Sequence, residues 1–161
     1  MSKFTDIKGR AWLIEITVDT VKRVKSLCEV DLLDIVQDRG KLLSQLTDDP
    51  ITLCNILYVI CKDQADEQKV SDEDFGRGLG GDALEQATVA FLEALVNFFP
   101  GHKRRVLQKV LDRSAEVQSM ATDLIIAKLD DPAIEAHLKA RVEKILLTPG
   151  DSSGDAPASS D

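Results

Sequence analysis

The chain has 161 residues, 43% of them apolar and 30% charged, the balance of one globular domain with a moderate core. A net charge of −8 argues against general binding to nucleic acid or an anionic membrane, though it leaves room for a local basic patch. The opening MSKFTDIKGR lacks the apolar region of a secretory signal, the longest apolar run (ILYVIC) falls far short of the ~20 residues of a membrane span, and the cysteine count is odd; together these read as a cytoplasmic chain with reduced thiols.

AWLIEITV, over 11–18, alternates: Trp12, Ile14, Ile16 and Val18 share one face, and Leu13, Glu15 and Thr17 share the other. That period predicts a strand, and KFTDI before it can pair with it through a turn at Lys8-Gly9-Arg10, where glycine tolerates positive φ. A lone hairpin is marginal in water, so this one must lie on helices.

Thr17 or Asp19 caps a predicted helix running to about Leu27, and a second short helix is expected over 31–38, stopped by Gly40. KLLSQL supplies a further turn or two. Asp49-Pro50 is a strong helix start, a capping carboxylate followed by proline at the first helical position. The helix that follows, to about Gln64, is apolar nearly all round and belongs in the centre of the domain. Cys54 and Cys61 lie two turns apart on it, about 10 Å and too far for a disulfide, so both read as structural buried thiols.

SDEDFGRGLGGDALEQA, from Ser71, spells both a G-x-G-x-x-G loop and the D-F-G of kinases. A dinucleotide loop needs an apolar strand just before its first glycine, whereas here stand a helix cap and acidic side chains that repel a pyrophosphate. The kinase reading lacks its lysine strand and H-R-D loop. The stretch therefore reads as a short helix over 72–79, opened by a Ser71 capping box and closed by Gly80-Gly81, with Asp82 capping the next helix.

That next helix, 83–99, carries the stripe Leu84, Ala87, Phe91, Leu95 and Phe98, widened by Leu92 and Phe99, and ends at Pro100-Gly101. A long helical pattern covers 102–129. Asp131-Pro132 starts a last helix with Ile134, Leu138, Val142, Ile145 and Leu146 on one face. The tail TPGDSSGDAPASSD has a disordered composition. The fold class is thus mainly α: a helical domain with a small N-terminal β-hairpin over 1–100, a C-terminal helical arm over 101–147, and a tail from 148.

Catalytic and metal chemistry find no footing. His102 and His137 lie on different helices without carboxylate or cysteine company at helical spacing, and no G-x-S-x-G elbow is present. The expectation is a non-enzyme with no cofactor and no metal. The basic cluster GHKRR continues to Lys109 and Arg113, and Arg105, Lys109 and Arg113 line one face. It reads as a solvated face or a dock for an acidic partner, and without interleaved aromatics it argues weakly for nucleic acid. Val106, Val110, Arg113, Val117, Met120 and Leu124 follow a 4-3 rhythm, with Leu107, Leu111, Ala121 and Ile125 as a second edge. This stripe either packs on the core or docks another helix, in this chain or in a partner.

Four stretches in order, FTDIKGRAWLIEITVDTVKRVK, VDLLD, DDPITLCNILYVICKDQ and VSDEDFGRGLGGDALEQATVAFLEALVNFFP, resemble the phage tail assembly chaperones encoded beside the tape measure protein. The resemblance spans Phe4 to about Pro100. It implies a protein that binds the long helical tape measure protein and keeps it soluble while tail tube subunits assemble, and that is then displaced. The family often makes a longer form by ribosomal frameshifting and has no catalytic residues. The expected partners are accordingly the tape measure protein and, secondarily, the tail tube protein, in the host cytoplasm. The rival readings are a structural virion or head–tail adaptor protein, a small DNA-binding regulator, and a small enzyme with a site assembled in space.

Overall fold

The computed structural model describes residues 2–37 and 41–147. The protein is mainly α: eight α-helices among the described residues follow a two-stranded antiparallel hairpin. They fall into two compact units, Met1–Arg113 and Ser114–Asp161. No helix among the described residues is long and apolar enough to cross a membrane.

In the first unit, β1 (Ser2–Thr5) pairs with β2 (Ala11–Ile14), placing Phe4 opposite Trp12. Period 2 then sends Phe4, Trp12 and Ile14 to the buried face. Gly9 turns the chain at φ 79°, and its N–H donates to the Asp6 carbonyl. The strand pattern stops earlier than the alternation suggested. Thr17 becomes the N-cap of α1 (Val18–Cys28), its Oγ1 accepting from Thr20 N, so Val18 opens a helix and is exposed. The backbone of Leu13 is satisfied by a side chain: its N–H donates to Gln64 Oε1 at 2.9 Å and its carbonyl accepts from Gln64 Nε2 at 2.8 Å.

The segment expected as a second helix over 31–38 is a five-residue 3-10 turn, Leu32–Val36, capped by Asp31, whose Oδ1 accepts from Leu33 N. Its bonds run from i+3 to i, from Asp34 N to Asp31 O and from Gln37 N to Asp34 O, the tighter winding that short connectors adopt. Gly40, the expected stop, lies outside the described residues. α2 (Lys41–Asp48) leads to α3 (Pro50–Ile60), where Asp49 accepts from Ile51 N and Thr52 N as its cap. α3 is central, with Leu53, Ile56, Leu57 and Ile60 buried, although Ile51 in its first turn is exposed. It does not run on to Gln64: the backbone leaves helical angles at Cys61, and α4 (Lys62–Glu67) starts afresh. Cys61 is buried as expected, whereas Cys54 is only half-buried.

α5 (Asp72–Gly76) is shorter than the sequence suggested, and Ser71 caps it through Asp74 N. α6 (Asp82–Phe98) is entered from Gly81 at φ 52°, so Gly81 occupies the cap position and Asp82 the first helical one. Asp82 still places a carboxylate at the positive helix end. The buried face of α6 is rotated from the expected stripe. Ala83, Ala87, Ala90 and Ala94 are buried beside Phe91 and Leu95, while Leu84, Leu92 and Phe98 are half-buried. The reason is β1, which packs directly on α6, since alanine lets a strand approach a helix closely.

α7 (Gly101–Leu129) begins in the first unit, where Leu107 is buried and Val110 and Leu111 pack half-buried on the core. Arg104 binds the end of α6, donating to the carbonyls of Asn97 and Phe99. The second unit holds the remainder of α7 and α8 (Pro132–Leu146), which Asp131 caps through Ala133 N. The tail from 148 lies outside the described residues.

Candidate protein-binding surface

The first unit is organised around one buried polar centre in an aromatic nest. The Phe75 ring meets Trp12 edge-on at 4.8 Å, Tyr58 at 5.5 Å and Phe4 at 6.5 Å between centroids. Above the nest, the Asp6 carboxylate accepts four donors: Trp12 Nε1 at 3.0 Å, Arg10 Nε at 2.6 Å, and the backbone N–H groups of Lys8 and Arg10 at 3.0 and 2.9 Å. Burial pushes its pKa up. The bonds from Trp12 and Arg10, with the Arg10 charge, outweigh that and hold it below the usual carboxylate range.

The glycine-rich stretch serves this centre. Ile7 N donates to Gly78 O, and Arg10 Nη2 donates to the Asp74 carbonyl. A Cβ on Gly78 would stand 2.8 Å from Asp6 Oδ2 and 2.9 Å from Arg10 Nη2, so glycine is needed for close approach to the hairpin. Gly78 is thus structural through its packing and Gly81 through its positive φ.

The thiols do not form a reactive site. Burial raises all three: Cys61 is pushed up to about 12, and Cys54 is raised further by the Asp72 charge. A polar cleft of about 280 Å³ is lined by Glu15, Asp19, Arg23, Asp63 and Gln64. There Arg23 Nε is buried without a hydrogen-bond partner, 3.3 Å from Asp19 Oδ2 but off hydrogen-bond geometry, and its Nη1 lies 3.8 Å from Asp63, a loose network. No group of three or more His, Cys, Asp or Glu among the described residues is placed to hold a metal.

The apolar surface is the feature that needs a function. The six residues singled out in the sequence are divided by the structure. Val106, Val110 and Arg113 lie in the first unit: Val110 is half-buried against the core, Val106 is 45% exposed and Arg113 is exposed. Val117, Met120 and Leu124 lie in the second unit, share one helical face, and are 61–66% exposed. Ile125 widens this face, and Ile126 and Leu129 add exposed apolar area beside it.

α8 buries no residue, and Leu138, Val142 and Leu146 are 52–78% exposed. In the sequence these three share one face of the last helix. Monomeric proteins scatter single apolar residues on their surfaces, so two consecutive helices exposed along their apolar faces are a candidate interaction surface.

The basic cluster is also open. Arg105, Lys109 and Arg113 are exposed, and none takes part in an ion pair among the described residues.

No known protein family, curated protein or solved structure matches this chain in comparison.

Proposed function

We propose that the protein acts without catalysis, by binding another polypeptide, and specifically as a phage tail assembly chaperone that keeps the tape measure protein soluble while the tail tube forms. The observation that carries this reading is the open apolar surface of the second unit, Val117, Met120 and Leu124 on α7 with Leu138, Val142 and Leu146 on α8. A long amphipathic helix shields its stripe in such a surface through side chains spaced three and four apart. The first unit has a closed core, and the chain as a whole has a net charge of −8, which suits a soluble carrier of an aggregation-prone client. The resemblance over residues 4–100 supplies the identity of the client.

Co-expression with the tape measure protein encoded beside it tests the reading. The client is expected in the soluble fraction, complexed with this chain, and mature particles are expected to lack the chain. Leu124→Glu combined with Leu138→Glu should leave the first unit folded by circular dichroism and return most of the client to the pellet. A client that precipitates beside a well-folded wild-type chain contradicts the reading.

A further inference from the structure

We infer that, before a client arrives, the apolar surface of the second unit is covered by a second copy of the same chain. Val117, Met120, Leu124, Leu138, Val142 and Leu146 expose half to three-quarters of their area, on the order of 700 Å² per copy, close to the ~800 Å² per partner of a standard stable interface. The charges beside the two stripes favour pairing α7 of one copy against α8 of the other, antiparallel. At 100° per residue, Glu116 and Asp123 border the α7 stripe on the same side that Arg141 borders the α8 stripe. Antiparallel helices set like-placed edges against one another, so carboxylates meet a guanidinium. On the opposite edge Glu135 is already paired with Lys139 at 2.8 Å, so the preference rests on the first edge.

Because each copy offers both an α7 and an α8 stripe, two copies close on each other in a four-helix contact with two-fold symmetry. No third copy is recruited. The pairing does not depend on which client the protein serves. It implies that a client competes with self-association for one surface, so the stripe is covered in both states.

Sedimentation equilibrium of the full chain between about 1 and 200 μM tests the inference. The expected mass rises from 17.7 kDa towards twice that value and goes no higher. Leu124→Glu and Val142→Glu should each weaken association roughly 100-fold, with helicity of the first unit retained. Asp123→Arg and Arg141→Asp should each weaken it, and the two together should restore it, since the charges exchange sides.

A chain that stays at 17.7 kDa throughout overturns the inference, and so does open-ended growth beyond two copies. Flotation of a monomeric chain with anionic vesicles overturns it in favour of a lipid surface. A monomeric chain that still solubilises its client leaves the proposed function standing and removes only the dimer. A dimer that fails to solubilise the client does the reverse.

Discussion

Replacing Trp12 by alanine is expected to lower the stability of the first unit by about 4 kcal/mol, the cost of a large aromatic removed from a core that cannot collapse around the space. Trp12 is 1% exposed, meets Phe75 edge-on at 4.8 Å, lies under the Arg10 guanidinium at 5.5 Å and donates its indole N–H to Asp6. The loss therefore has three parts: apolar burial, ring geometry, and a buried carboxylate deprived of a donor. For a unit of this size, Tm should fall by roughly 15 °C. Trp12→Phe separates the parts. It retains a ring against Phe75 but loses the donor and the buried volume of the second ring, so the expected cost is smaller, about 2 kcal/mol. Thermal denaturation followed by circular dichroism at 222 nm measures both variants. Equal losses for phenylalanine and alanine would show that the hydrogen bond, not the packing, holds the hairpin on the helices.

Asp6→Ala is expected to cost about 3 kcal/mol at neutral pH, because it leaves the indole N–H, the Arg10 guanidinium and two backbone N–H groups without their acceptor. Asp6→Asn keeps an acceptor and removes the charge, so its smaller loss isolates the electrostatic part. The pH dependence has a definite sign. The folded carboxyl sits below its ordinary value, so its stabilisation is fully present above the unfolded pKa of about 3.9 and is lost as pH falls from there through the folded value. Urea midpoints of wild type and Asp6→Asn should therefore differ at pH 7 and converge towards pH 3. The fluorescence of the single tryptophan, a direct partner of Asp6, reports the transition. A constant gap between the two proteins from pH 7 to pH 3 would mean that the Asp6 charge contributes nothing to folding.

The elements that local chemistry encodes were legible in the sequence. Thr17, Asp49 and Asp131 cap the helices they were expected to start, and the hairpin turns at Gly9. What was not legible depended on contacts between distant segments. α6 buries its alanines because β1 lies against it, and nothing within 82–98 announces a strand from the N-terminus. The role of Gly78 is equally hidden: it is glycine because Asp6 and Arg10 approach from seventy residues away. Asp6 itself carried no signal, being one acid among 28 Asp and Glu in a sequence where acids are ordinary surface residues.

The apolar surface was half legible. Helical spacing identified Val117, Met120 and Leu124 as a face, but periodicity does not say whether a face is covered. For Leu107 and Val110 on the same helix the core covers it, wholly or in part, and for Val117 onwards it does not. Spacing is a property of the segment, whereas coverage is a property of what packs on it.

The claim that the second unit lends its apolar faces to another polypeptide is tested most directly by amide hydrogen exchange over the full chain. The free protein should be measured at low concentration and then in complex with its client. Helices without a packed face are marginal in water, so in the free chain 114–147 should exchange far faster than the buried helices α3 and α6. On binding, 114–147 should become protected while 1–100 stays unchanged. Core-like protection of 114–147 in the free monomer, or client-induced protection confined to 1–100, would contradict the account.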